Sequence, residues 1–300
     1  MGPTAVNRER PRRPPELQDA LNRYLYHPLA WQIARGLART PVTPNMVSIA
    51  GGLLVVAAAF AYSLPGWPGP ALLGLALHMG WHVLDGADGD LARLTGRSGP
   101  AGELIDGIAD YSSHIVLYAV LALILQTATG PAIAWLSALA AGVSHIVQSN
   151  HFEVQRRQYL WWVYGVPWLG NYAASPSTRP RGIIAFADAY LKLASRLSNQ
   201  PARIEAAIAA VSNDPVKLAQ ARETVRHHGP SFLPRAQLLS NNHRTLALGV
   251  AMLLGSPLAY FLYEIVVLNL VLAVSTRRSN AAMAQIALEL ERTPAEITAR

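Results

Sequence analysis

The sequence predicts an all-α, polytopic membrane protein, with six transmembrane helices, an N-terminal interfacial amphipathic helix and a helical cytoplasmic insert. Three observations predict it. Only 14% of the 300 residues are charged and 51% are hydrophobic, whereas a soluble domain carries about 25% charged residues; the mean hydropathy is positive, at +0.21. The 25 Lys and Arg residues fall into four blocks, with none between Arg39 and Arg93, between Arg97 and Arg156, or between Arg244 and Arg277. Apolar runs fill those gaps, and they are long enough for helices of about 20 residues that cross a bilayer. Disorder is excluded for most of the chain, because disordered segments are polar and highly charged. The absence of cysteine excludes disulfides, thiolate nucleophiles and Cys-ligated metals.

Residues 1–42 form an Arg-rich, Pro-rich cytoplasmic arm with no signal-peptide core. Within it, Leu17, Leu21, Tyr24, Leu25, Leu29, Ile33 and Leu37 recur at near-helical spacing, with Arg23 and Arg35 off the stripe. That pattern fits a helix lying on the membrane or one packed on the cytoplasmic loop. Residues 43–153 hold four spans, at 46–64, 70–92, 103–127 and 131–153. The Pro/Gly-rich run 65–70 separates the first two, and Gly130-Pro131 the last two. Residues 243–276 hold spans at 243–258 and 260–276, divided at Gly255-Ser256-Pro257. With six spans, all four basic blocks lie on one side and the turns near 67, 129 and 257, which have no Lys or Arg, lie on the other. The positive-inside rule then puts both termini, the 277–300 tail and the 154–242 segment in the cytoplasm, and the chain in the inner or cytoplasmic membrane.

Residues 154–242 are too long for a bare loop. Helical patterns run over 182–197, 202–212 and 215–228; Asp214-Pro215 reads as an N-cap with Pro at the first helical position, and Gly229-Pro230 as a stop. From 153 to 244 there are twelve cations against five acids. That bias is topological or reflects anionic headgroups nearby.

Six acids lie in or beside the membrane-length stretch 70–127: Asp85, Asp88, Asp90, Glu103, Asp106 and Asp110. A carboxylate at mid-bilayer costs at least about 2.5–3.5 kcal/mol, so a group of them needs a cation, and Arg93 alone does not neutralise them. Asp85 and Asp88 are spaced i, i+3, and Gly102, Asp106 and Asp110 are spaced i, i+4, i+8, so each set shares a helix face. The two helices are joined by a turn with Gly96, Gly99 and Pro100, which brings the four carboxylates together near the cytoplasmic end. Hard oxygen ligands suit two divalent cations, Mg²⁺ or Mn²⁺. Gly86, Gly89, Ala92 and Gly102 leave room beside them, and Arg93 stands where it can pair with a phosphate. These are the recurring parts of phosphoryl transfer, on a diphosphate or nucleotide donor at the membrane surface. An EF-hand would need a different rhythm of oxygens. A transporter's cation pathway would use intramembrane acids without the Gly/Ala/Arg pattern.

The pattern resembles the signature of the CDP-alcohol phosphotransferase (CDP-alcohol phosphatidyltransferase) family of integral membrane enzymes, D-x2-D-G-x2-A-R, eight residues, then G-x3-D-x3-D. Asp85, Asp88, Gly89, Ala92 and Arg93, followed by Gly102, Asp106 and Asp110, match every fixed position. Thr43-Pro44-Asn45 before the first span extends the likeness. Residues 154–242 depart from it, being longer than the connection family members usually have there. The resemblance implies that Asp85, Asp88, Asp106 and Asp110 ligate two divalent ions, that Asp110 is also the general base, and that Gly86, Gly89, Ala92, Arg93 and Gly102 line the cytidine diphosphate pocket. It implies a homodimer. It also implies a reaction in which an alcohol acceptor displaces CMP from a CDP-linked donor, in phospholipid biosynthesis among membrane lipids, with no nucleic-acid partner.

The expected donor is CDP-diacylglycerol with a polar acceptor; the alternative is a CDP-linked polar alcohol with a lipid acceptor. An intramembrane prenyltransferase, which also uses Asp pairs and Mg²⁺, is the rival enzyme class. Arg156, Arg157, Asn242, His243 and Arg244 are candidate acceptor contacts, or else membrane-border cations and caps. His78, His82 and Asp85 stand at i, i+4, i+7 and form a metal face or, for the histidines, buried hydrogen-bonded rings. Asn150 and His151 lie near the end of the fourth span, within possible reach of the pocket.

Overall fold

The computed structural model describes residues 13–167 and 201–298; the helix expected over 182–197 lies outside them. Among the described residues the chain is helical, with no strand. It divides into two units, one containing the residues up to Ser144 together with Asn241–Ile265, the other His145–Ser240 with Val266–Arg300.

The first unit begins with a π-helical turn, Asn22–Tyr26, leading into α1 (His27–Leu37). The π turn shifts the register of the expected apolar stripe. Tyr26, Ala30, Trp31 and Ala34 are buried, whereas Tyr24, Leu25 and Leu29 of the stripe stay exposed. Ala30 and Ala34 form a small core with Val47, Ala87 and Leu91, with Ile33 and Leu37 at its edge.

Next come α2 (Pro44–Ser63), α3 (Gly69–Thr95) and α4 (Pro100–Thr129). The Thr43 side chain caps α2 by accepting from the Met46 amide, with Pro44 at the first position. Gly96, at φ +65°, ends α3 in the left-handed conformation, and Pro100 starts α4 after it. The contacts between these helices use small residues: a Cβ on Gly52 would sit 3.3 Å from the Ala109 carbonyl. Ala58, Ala59, Ala122, Ala134, Ala138 and Ala141 are buried in the core, while Leu53, Phe60, Ile115, Leu136 and Leu139 point outward. Small residues inside and large apolar ones outside are the arrangement of helices packed in lipid. Within this unit α8 (Asn241–Leu253) buries Leu248 and Met252, and α9 (Pro257–Leu262) buries Tyr260 and Phe261.

The second unit contains the later part of α5 (Pro131–Tyr164), α6 (Pro201–Ala210), α7 (Pro215–Gln237) and α10 (Leu268–Thr298). Gln148 donates to Asn269 Oδ1 at 2.8 Å, and the Gln155 amide donates to His151 Nε2 at 2.8 Å and to Ser279 at 2.7 Å. Gln148 and Asn269 lie within apolar segments, where polar side chains that join helices are the usual glue of membrane bundles. Asp214 caps α7, accepting from the Val216 and Lys217 amides.

The expected stop at Gly229-Pro230 is overturned, since α7 runs on to Gln237 with Pro230 and Pro234 inside it. Ala221, Val225, Gly229, Phe232, Leu233 and Ala236 form one buried stripe through that point, and both prolines lie on the exposed face. There a carbonyl that loses its helical partner meets solvent, so burial of the stripe outweighs the proline penalty.

Four helical segments among the described residues are long and apolar enough to cross a membrane: Pro44–Ser63, Ile105–Thr129, Pro131–Tyr164 and Pro257–Arg292. Helix α3 has 27 residues but carries Asp85, Asp88, Asp90 and Arg93. Helix α8 has 13 residues, about 20 Å, less than a hydrocarbon core of about 30 Å.

Candidate active site

The site is built on the C-terminal half of α3 and the first turns of α4, in the first unit. The glycine-ended α3 and proline-started α4 reverse the chain within a few residues, which sets Asp85 opposite Asp106 and Asp110. One carboxylate oxygen from each of these three lies within 4.8 Å of the others. Asp85 is exposed, and Asp106 and Asp110 are half-buried, so the group opens to the outside. Three hard, anionic oxygens without sulfur or imidazole fit a divalent cation such as Mg²⁺ or Mn²⁺.

Asp88 is not one of the three. It is buried, accepts from Ser48 Oγ at 2.5 Å, and lies within hydrogen-bonding reach of Asp106. Asp110 accepts from Trp81 Nε1 at 2.8 Å through Oδ1, and its backbone carbonyl accepts from His114 Nδ1 at 2.8 Å. Trp81 is buried in a slot that Gly51 leaves open; a Cβ there would sit 3.3 Å from the indole Cδ1. Ser48 and Trp81 had no role in the sequence reading. The available signal for Trp81 was its place one turn before Asp85 on the same face of α3.

Arg93 pairs with Asp90, and Asp90 also accepts from Arg13 at 2.7 Å. A Cβ on Gly89 would sit 3.5 Å from both terminal nitrogens of Arg93, so this glycine makes room for the guanidinium. Gly86 faces Ala30, whose Cβ would lie 3.0 Å from a Cβ at Gly86, so it admits α1 against α3. Ala92 is half-buried. Gly102 has open space, with Asn45 Oδ1 the nearest atom at 3.9 Å. Glu103 is exposed.

His78 and His82 join an aromatic cluster rather than the acidic group. Their rings stack with centroids 6.1 Å apart, His82 stacks on Tyr26, and His82 Nε2 shares a hydrogen bond of 2.8 Å with Thr245. Burial, with Asp19 adding its charge, pushes the Tyr26 phenol up to about 12. The candidate acceptor contacts have protein partners. Asn242 donates to Asp19 at 2.7 Å, and Arg244 is buried in an ion pair with Glu264. Arg156 and Arg157 both hold Glu153, and Asn150 and His151 are buried in the second unit.

A model of the CDP-alcohol phosphatidyltransferase family matches residues 41–194, just over half the chain; the match includes the acidic site and reaches into the long segment after α5. Comparison with curated proteins gives no match.

Proposed function

The chain belongs to the CDP-alcohol phosphatidyltransferase family, and on that footing we propose that it transfers the phosphatidyl group of CDP-diacylglycerol to a polar alcohol, releasing CMP. Membership makes it a membrane transferase of substituted phosphate groups that acts on a CDP-alcohol. The observation that carries the proposal is the convergence of Asp85, Asp106 and Asp110 oxygens within 4.8 Å, with Asp88 against Asp106.

In the proposed reaction the acceptor hydroxyl attacks the phosphorus farther from cytidine. The bridging P–O bond breaks toward CMP, and Asp110 takes the hydroxyl proton. An alcohol is a poor nucleophile at neutral pH, so a positioned carboxylate is what it needs. Asp85, Asp88, Asp106 and Asp110 would hold two divalent cations, Mg²⁺ or Mn²⁺, whose charge offsets that on the diphosphate. Gly89, Ala92, Arg93 and Gly102 are the proposed wall of the CDP pocket. Gly86 serves it by keeping α1 close.

The topology proposed with this function has six spans, α3 and the 243–258 segment, which the short α8 covers only in part, joining the four apolar segments. The arm 1–42, the insert 154–242 and the tail 277–300 are cytoplasmic, as is the site, and the protein is a homodimer. The four basic blocks support the sidedness, and exposed Tyr24, Leu25 and Leu29 support an N-terminal helix at the interface.

The test is purified protein in detergent with Mn²⁺, a panel of alcohols and, as labelled donors in parallel, CDP-diacylglycerol, CDP-linked polar alcohols and an isoprenyl diphosphate, followed for CMP and for donor turnover. Alcohol-dependent CMP release is expected. Turnover of an isoprenyl diphosphate, or solute flux without CMP release, would sink the proposal, and CMP release only from CDP-linked polar alcohols would reverse the donor assignment.

A further inference from the structure

Asp90 is an acid that the metal-site reading does not use, and it occupies an unassigned position of the motif. It is 2% exposed, yet one of its oxygens accepts from two guanidiniums, Arg13 Nη2 at 2.7 Å and Arg93 Nη2. One carboxylate offsets one positive charge, so the three side chains together keep a net +1. Each guanidinium has five N–H donors, and the Arg13 and Arg93 side chains are 25% and 48% exposed. Donors therefore remain for another anion.

The place of this pair matters. Residues 85, 89 and 93 share a face of α3, the Arg93 guanidinium lies over Gly89, and Arg13 is within the field of Asp85. Both cations thus border the acidic group. Arg13 is also held in advance. Gln18 Nε2 donates to the Arg13 carbonyl at 2.7 Å, and Gln18 Oε1 meets His27 Nδ1 at 3.1 Å. Pro14 and Pro15 stiffen the chain beside it, and Asn242 ties the arm through Asp19 at 2.7 Å. An Arg fixed in this way loses little conformational freedom when it binds a phosphate.

We propose that Arg13 is a second phosphate-binding residue, supplied by the N-terminal arm, and that Asp90 holds Arg13 and Arg93 as a two-guanidinium clamp on a phosphate ester beside the acidic group. The inference rests on the function proposed above. The phosphate is that of the CDP donor or one carried by the acceptor, and the two share the same chemistry.

The experiment uses the full chain in detergent with Mn²⁺ and measures the Kd of CDP and of glycerol 3-phosphate for the wild type, Arg13→Gln and Arg13→Lys, together with ligand-free melting temperatures. The expected result is CDP binding at least about tenfold weaker in Arg13→Gln, an intermediate loss in Arg13→Lys, and unchanged melting. A loss confined to glycerol 3-phosphate keeps the clamp and assigns it to the acceptor. Wild-type affinities retained in Arg13→Gln would overturn the clamp, as would equal losses in both variants with equally lowered melting temperatures, since Arg13 would then only hold the arm. Wild-type protein that binds no CDP would overturn the functional reading itself, and the clamp with it.

Discussion

Trp81 donates its indole N–H to Asp110 Oδ1 at 2.8 Å. The indole is 2% exposed, so water does not readily replace this donor. A hydrogen bond to a charged group contributes about 1.5–3 kcal/mol, and here it engages one carboxylate oxygen of Asp110, the proposed base. Trp81→Phe keeps the ring and removes the donor. The expected outcome is a kcat for CMP release lower by about tenfold with little change in the donor KM. Equal changes in kcat and KM, or no change, would remove the positioning role.

Asp110→Asn tests the proposed base directly. The amide keeps the size of the side chain but cannot take a proton, and a general base contributes about 10²–10⁴-fold. Turnover should fall by at least that order while CDP binding in Mn²⁺ is largely preserved. Full activity in this variant would remove Asp110 as the base.

The acidic group was legible in the sequence because its information is local. Asp85 and Asp88, then Asp106 and Asp110, sit at helical spacings on consecutive helices, and Gly96 and Pro100 announce the turn between them. The side chains that hold those acids, and the one from the N-terminal arm that holds neighbouring Asp90, were not legible. Ser48 is 40 positions from Asp88, Trp81 is 29 from Asp110, and Arg13 is 77 from Asp90; no periodicity links such pairs. Gly86 shows a second limit. A small residue beside an acid reads as space for a ligand, and nothing in that spacing announces Ala30, whose Cβ would lie 3.0 Å from a Cβ there. Pro230 shows a third, since the stop that local propensity expects gives way to a buried stripe that continues on both sides of it.

Two glycines offer a comparison of packing. A Cβ on Gly74 would lie 2.5 Å from ring atoms of Tyr62, a buried planar ring; a Cβ on Gly249 would lie 2.6 Å from a methyl of Leu75, the far end of a flexible side chain. Gly74→Ala should cost about 1–3 kcal/mol, seen as a lower melting temperature in detergent, and Gly249→Ala distinctly less. The reverse order would mean that Tyr62 has room to move.

The last prediction concerns Arg244 and Glu264, which are 2% and 0% exposed and paired with each other. Tyr260 donates to the other Glu264 oxygen at 2.9 Å and meets Tyr118 at 3.3 Å. Glu264 sits in a π-helical segment, Tyr263–Val267, which turns it toward α8. Glu264→Gln would leave a buried guanidinium without its counter-charge, a change that costs about 3–5 kcal/mol, whereas replacing both partners with apolar residues of similar volume is often neutral or better. Glu264→Gln should therefore melt well below the wild type, and the double variant Arg244→Met with Glu264→Leu should recover most of the loss. If the double variant keeps its melting temperature but loses CMP release, Arg244 has a role in turnover beyond the ion pair. If it melts as low as Glu264→Gln, the charges themselves are required for the fold.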